Sequence, residues 1–345
     1  MIETGLSRIK EGFFLAFFSH YSGHAIINEE TRTQDVLTAN KSGEDVMLGI
    51  IVNPMSGSGK GRDTWKQLEP TLKGLGVDYQ VRKTSGIGEA QKLAVELIQK
   101  EGVTKIIAVG GDGTVNEVMN GIQQSGKPCL FGLVAAGSGN DYAKGHGLAE
   151  EPVQALTRIL KEESRKTIDL IKINERFAVN VVGAGFDALV AKKTNEASYK
   201  GWLNKTKLGK VAYVLSVLSV IRSFQPCDVH LVVDGQTYHV QKVWLIAIAN
   251  IPNFGGGMRI CPDAVPNDGV AEICVVSNVS RWELLFAFPL IFSGKHAKHP
   301  GVRFFRGRHI HIQSQNPLFV QADGEVVSHT PMTVEMLPSC QAVCG

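Results

Sequence analysis

The sequence has no CxxC pair and no HExxH helix. Its six cysteines (129, 227, 261, 274, 340 and 344) are scattered. No disulfide framework is implied, and reduced thiols in a cytoplasm are expected. Cys340 and Cys344, four apart near the terminus, read as a frayed tail. Charge of one sign is also scarce. A formal balance of +3, with no clustering of arginines among exposed aromatics, excludes a recognisable RNA or DNA module and leaves no nucleic-acid partner to expect. Long apolar runs are missing as well. FFLAFF (13–18), VAYVLSVLSVI (211–221) and LLFAFPLIF (284–292) all fall short of the roughly 20 residues that span a bilayer. The first belongs to an N-terminal extension, residues 1–45, in which no secretory leader is legible. The other two are expected to be buried helices.

At 345 residues the chain is long for one compact unit, and two domains are expected. From 46 to 175 apolar runs alternate with helical patterns: VMLGIIVN, VDYQVRKT, KIIAVG and CLFGLVA read as strands. TWKQLEPTLKGLG, which Pro70 should interrupt or kink, reads as a helix, as do EAQKLAVELIQKEG, VNEVMNGI and PVQALTRILKEES. Such alternation predicts an α/β domain with a parallel sheet, and such sheets place ligands beyond the carboxyl ends of their strands. From 176 to 330 the texture is β-rich, with a hairpin at Asp234-Gly235. The segment from about 331 to 345 is a candidate to return to the first domain.

Three glycine-rich stretches follow strands in the first domain and should converge on one sheet edge: NPMSGSG, VGGDGTVNE and AAGSGNDYA. The first ends in Gly-Lys like a P-loop, yet Pro54 and Gly61 stand where a Walker motif needs glycine and a hydroxyl residue. In the second, Gly110, Gly111 and Gly113 allow close approach to a ligand, and the helix beginning near Val115 points N–H groups at the same place. Phosphate fits those donors. Asp112 among them would repel phosphate unless a divalent cation lies between, which points to metal-assisted phosphoryl transfer.

NPMSG, GGDGTVNEV and GSGNDYA, in this order, with GAGFDA (183–188), PNDGVAEICVV (266–276) and ADGE (322–325), resemble the diacylglycerol kinase catalytic family, which includes bacterial lipid kinases and sphingosine kinases. The resemblance runs from about residue 47 almost to the C-terminus. It implies an NAD kinase/diacylglycerol kinase-like fold of two domains with the nucleotide in the cleft between them, and a β-rich lipid-substrate domain. It further implies ATP and Mg²⁺ as cofactors and a lipid alcohol, most naturally diacylglycerol, as acceptor at a membrane surface. Nucleotide contacts are implied at Asn53, Pro54, Ser56, Gly57, Thr84, Gly110, Gly111, Asp112, Gly113, Thr114, Asn116, Glu117 and Ser138, with Lys60 not needed as a Walker lysine. A structural magnesium site is implied at Asp268 with the carbonyls of Val265 and Val270. The catalytic base is implied at Glu325, with Asp112 as its rival. Asp141 is a candidate for a water-linked metal network, and Asp187 reads as a helix cap or as a residue facing the acceptor.

Between 190 and 210, Lys192, Lys193, Lys200, Lys205, Lys207 and Lys210 face a single acid, Glu196, beside Trp202. The stretch reads as a solvated loop or as a contact with anionic lipid, worth about 1 kcal/mol per lysine. The expected protein is a cytoplasmic enzyme with peripheral membrane association. A homodimer is left open, and an NAD kinase-like enzyme and a non-catalytic nucleotide or lipid sensor are the rival readings.

Overall fold

The computed structural model describes residues 47–148, 151–196 and 209–345, so the extension 1–45 lies outside it. The first domain alternates β1 (Leu48–Val52), α1 (Ser56–Gly74), β2 (Tyr79–Lys83), α2 (Glu89–Glu101), β3 (Lys105–Gly110), α3 (Asp112–Ser125), β4 (Leu130–Ala135), α4 (Asp141–His146) and α5 (Pro152–Leu160). Its strands pair in parallel in the order β2-β1-β3-β4, as the alternation predicts. β1, β3 and β4 are buried along their whole length because helices cover both faces. Successive side chains serve opposite layers. Ile50, Val52, Ile107 and Val109 meet Trp65, Leu68 and Leu72 of α1, while Ile51, Ile106 and Ala108 meet Leu97 of α2 and Val115, Val118 and Met119 of α3.

Pro70 does not break the first helix. α1 runs to Gly74, and its non-helical dihedrals are confined to Gly57, Ser58 and Gly59. The carbonyl that proline leaves without a donor belongs to Lys66, on the exposed face, where water can satisfy it.

The second domain follows with β5 (Lys166–Ile173), β6 (Arg176–Ala178), β7 (Val181–Gly185), α6 (Phe186–Glu196), α7 (Gly209–Ser223), β8 (Cys227–Val233), β9 (Gln236–Ala249), β10 (Ala271–Ser277) and α8 (Arg281–Ala287). Two 3₁₀ turns (Phe288–Ser293 and Lys295–Lys298) lead into β11 (Val302–Gly307), β12 (His309–Ser314), β13 (Phe319–Ala322), β14 (Glu325–His329) and β15 (Met332–Cys344). β9 pairs antiparallel with β7, β8 and β10. Asp234 and Gly235 both take positive φ, 46° and 84°, the backbone that a two-residue hairpin between right-twisted strands requires.

β15 pairs antiparallel with β5 and β12, and in parallel with β4 through Val343 and Cys344. It ties the two halves together. Cys344 is buried, so the last residues are core and not a frayed tail. The run LLFAFPLIF is likewise not a buried helix. α8 gives way to a 3₁₀ turn around Pro289, whose nitrogen cannot continue the helical ladder, and neither segment has a buried residue.

Candidate active site

β1, β3 and β4 end together, and their loops are locked to one another. Asn53 N–H donates to Val109 O (2.9 Å) and Ala136 N–H to Gly110 O (2.6 Å). The Asn53 amide donates to Thr114 Oγ1 (3.0 Å) and its carbonyl oxygen accepts from Met55 N–H (3.1 Å). A methyl group on Gly111 would lie 2.8 Å from Gly137 Cα and 3.3 Å from Ser56 Oγ, so all three glycine-rich stretches meet at one point. Gly57, Ser58 and Gly59 take φ of 56°, 60° and 99°, a curl of successive amides suited to an anion. Gly113 stands in the first turn of α3, where N–H groups have no helical partner. Thr84, at the end of β2, bonds Val52 O through its N–H (2.9 Å), and Ser138 is exposed on the third loop.

Three residues of the expected nucleotide set make bonds within the scaffold. The Glu117 carboxylate accepts from Gly88 N–H and Ala90 N–H, both at 2.9 Å, at the positive end of α2. Asn116 reaches across the cleft and donates to Phe177 O (3.1 Å) and Asp323 Oδ2 (2.7 Å). Pro54 braces its own loop through its carbonyl, which accepts from Arg62 N–H (3.2 Å).

Between the domains lies a cavity of about 270 Å³ whose wall includes Asp112 and Asp141 from the first domain and Asn180, Asp187, Gln321 and Asp323 from the second. Asp112 Oδ1 accepts from Tyr142 N–H (3.0 Å). Asp141 Oδ2 accepts from Gly256 N–H (2.6 Å), while its Oδ1 is sheltered and has no partner. Burial pushes the Asp141 carboxyl above its ordinary value, the Gly256 amide opposes the rise, and the charge of Asp112 adds to it. Asp187 accepts from Gln321 Nε2 (3.2 Å) at Oδ2, and its Oδ1 is sheltered and unpartnered. Burial pushes it up to about 6. Asp323 takes the N–H groups of Val179 (2.7 Å), Asn180 (3.0 Å) and Val181 (2.9 Å) as well as the Asn116 amide. One carboxylate thus fixes the passage from β6 into β7 and ties it to α3.

A second, apolar cavity adjoins the first. Phe186, Leu245, Met258, Ile260, Phe288 and Ile291 line it, and Asp187 and Phe254 line both cavities. It is narrow, about 60 Å³.

The diacylglycerol kinase catalytic domain model matches residues 47–173, and the YegS C-terminal NAD kinase beta sandwich-like domain matches residues 180–345. The chain belongs to the diacylglycerol kinase catalytic family. It is a lipid kinase. A diacylglycerol kinase of Mycobacterium tuberculosis (strain ATCC 25618 / H37Rv) is 28% identical over 298 residues, covering 85% of this chain and 93% of the relative. One of Bacillus subtilis (strain 168) is 25% identical over 277 residues, covering 80% and 88%. A crystal structure of a diacylglycerol kinase from Bacillus anthracis str. Sterne has the same fold, with a TM-score of 0.66 at 22% identity and coverage of 86% of this chain and 96% of that one.

In this lipid kinase Asp268, expected to hold a structural magnesium, meets partners within the protein. Asp268 Oδ2 is ion-paired with Arg306 and Oδ1 accepts from Val270 N–H (3.2 Å), so the carboxylate already faces donors. The loop carrying Val265 is held instead by Asp169, whose N–H donates to Pro266 O (2.8 Å) and whose Oδ2 accepts from Gly269 N–H (2.7 Å). In this arrangement Asp268 is engaged by Arg306 and the Val270 amide. Among the described residues no group of three or more His, Cys, Asp or Glu side chains could hold a metal. Asp112 and Asp141, by contrast, lie close to one another at the cavity wall. A methyl on Gly139 would lie 3.2 Å from Asp112 Oδ2 and 3.7 Å from Asp141 Oδ2, and Asp141 keeps one oxygen free.

Glu325 opens β14, is exposed and pairs with Arg176 (3.3 Å). Its neighbour Gly324 lines the cavity, whereas Glu325 does not. Asp323, two residues earlier, carries the bonds in that loop, and the Gly255–Gly257 turn donates to Asp141. Both were visible in the sequence, as the Asp of ADGE and as a triple glycine, yet neither was singled out by the motif reading. Of the basic stretch, Lys200, Trp202, Lys205 and Lys207 and the side chain of Lys210 lie outside the described residues. Lys192 sits over the Phe319 ring (4.1 Å) and Lys193 donates to Ser219 Oγ (3.2 Å) and Ser223 Oγ (3.4 Å), so both are engaged within the molecule.

Proposed function

We propose that the protein transfers the γ-phosphate of ATP to the hydroxyl of diacylglycerol, giving phosphatidic acid, as a cytoplasmic enzyme working at a membrane surface. The observation that carries this reading is the junction at Asp187, where a polar cavity beside phosphate-type loops meets a cavity of apolar side chains. A lipid with one hydroxyl at the head of two acyl chains matches that pairing. The amides of Gly57 to Gly59 and the first turn of α3 take the phosphates. Asp112 and Asp141 hold the Mg²⁺ that accompanies ATP, which when bound neutralises phosphate charge.

Of the candidate bases, Asp187 has the position and the basicity. Its carboxyl lines both cavities, where it would accept the acceptor's O–H, and a carboxyl near 6 is ionised at neutral pH yet more basic than an ordinary aspartate. The hydroxyl oxygen attacks the γ-phosphorus, the bond to the β-phosphate oxygen breaks, and the proton passes to Asp187 while ADP leaves. Asp112 then serves the phosphate side, and Glu325 serves the fold through Arg176.

The test is incubation with γ-labelled ATP and detergent micelles of diacylglycerol, phosphatidylglycerol, a sphingoid base or a polyprenol. Labelled phosphatidic acid is expected to form fastest. Label on another alcohol would correct the acceptor, and label on no lipid would overturn the proposal.

A further inference from the structure

Among the described residues nine large apolar side chains are exposed, and four of them fall within one short stretch: Trp282 (69%), Phe286 (74%), Leu290 (40%) and Phe292 (50%). The stretch is α8 with the 3₁₀ turn that follows. It has two apolar faces. Leu284, Leu285, Phe288 and Ile291 pack inward on the second-domain core, and Leu284, Ala287, Phe288 and Ile291 are wall of the apolar cavity. Trp282 and Phe286, one helical turn apart, stack outward at 6.5 Å between ring centroids. A helix that only closes the fold would carry polar side chains on that face.

The segment is nonetheless firmly built. Ser280 and Glu283 form a reciprocal cap at its start, and Arg281 donates to Ile221 O and Phe224 O, both at 3.1 Å, so the aromatic face is presented from a fixed base. Lys295 and Lys298, in the next turn, are exposed and make no ion pair with described residues.

We propose that this face docks on an anionic lipid bilayer. Trp282, Phe286, Leu290 and Phe292 enter the interfacial layer, where aromatic and apolar side chains leave water, and Lys295 and Lys298 meet lipid phosphates. The proposal rests on the lipid-acceptor reading in one respect: the docked segment is the outer wall of the cavity that would receive the acyl chains. A bilayer fits better than a second copy of the chain, because it supplies both the charge that the lysines lack and the molecule that the cavity behind them takes.

The test is flotation of the full chain with phosphatidylcholine vesicles made with and without phosphatidylglycerol, comparing wild type with Trp282→Ser/Phe286→Ser and with Lys295→Gln/Lys298→Gln. The aromatic pair variant is expected to lose binding by about tenfold or more on both vesicles. The lysine variant is expected to lose only the preference for phosphatidylglycerol. Both should phosphorylate short-chain diacylglycerol in detergent at the wild-type rate. Vesicle binding unchanged in the aromatic variant overturns the docking proposal. So does a dimer in wild type, measured by light scattering, that becomes a monomer in that variant. Failure of the kinase reading looks different: vesicle binding falls as predicted while no lipid is phosphorylated by any of the proteins.

Discussion

Asp187 holds its charge half-buried at the junction of two cavities, and that sets a sign for stability against pH. Its folded value of about 6 lies above the roughly 3.9 of an unfolded aspartate. Between those values the folded state binds more protons than the unfolded one, so this group's contribution is full below about 4 and is lost as pH rises through about 6. Asp187→Asn has no charge to bury. Urea unfolding at pH 4.5 and pH 7 should therefore show the variant gaining on wild type by roughly 2 kcal/mol between the two. A constant difference would mean that Asp187 is not shifted. The sequence offered this residue only as a helix cap or an acceptor contact, because burial of a carboxylate depends on partners such as Gln321, far along the chain. Asp112, which lines the same cavity, stands out in the sequence because an acid among glycines is chemically odd. In ADGE the sequence contains two acids, and the turn at Asp323 and Gly324, with φ of 48° and 91°, decides which of them turns inward. Residue types alone do not contain that rotation.

At the scale of elements, the three glycine-rich loops were readable because each follows a buried strand of a parallel sheet, whose ends must lie on one edge. Their mutual contact makes them sensitive to a single carbon. Gly111→Ala places a methyl 2.8 Å from the Gly137 backbone, with no flexible side chain to give way. It should lower kcat/KM for ATP by about 10²-fold or more, the loss that misplaced reacting groups produce. Lys60 is exposed, and Lys60→Ala should cost less than about fivefold, because the backbone and not a Walker lysine holds the phosphates. Steady-state kinetics on both variants, with circular dichroism as a folding control, measures the contrast. The opposite order would restore a P-loop reading. α8 was the element that the sequence concealed. An apolar run too short for a bilayer reads as core by default, and nothing in its composition says that Trp282 and Phe286 face outward while Phe288 faces inward.

Across the whole molecule, the two-domain plan was legible from the change of period near residue 175, from strands alternating with helices to strands alone. The coupling between the halves was not. It lies in β15 crossing to β4 and in Asp323 joining Asn116 of α3 to the amides of Val179 to Val181, pairs more than a hundred residues apart. These links hold the polar cavity and the apolar cavity in register at Asp187, and the central claim is that phosphoryl transfer takes place at that junction. The pH profile of kcat/KM for short-chain diacylglycerol, at saturating ATP, tests it most directly in wild type and Asp187→Asn. The wild-type profile should rise through an apparent pKa near 6. The variant should lose that limb and fall by about 10²–10⁴-fold in kcat with little change in KM for ATP. A variant that keeps the limb and near-normal turnover, while Glu325→Gln or Asp112→Asn abolishes both, would contradict the account and move the base to that acid.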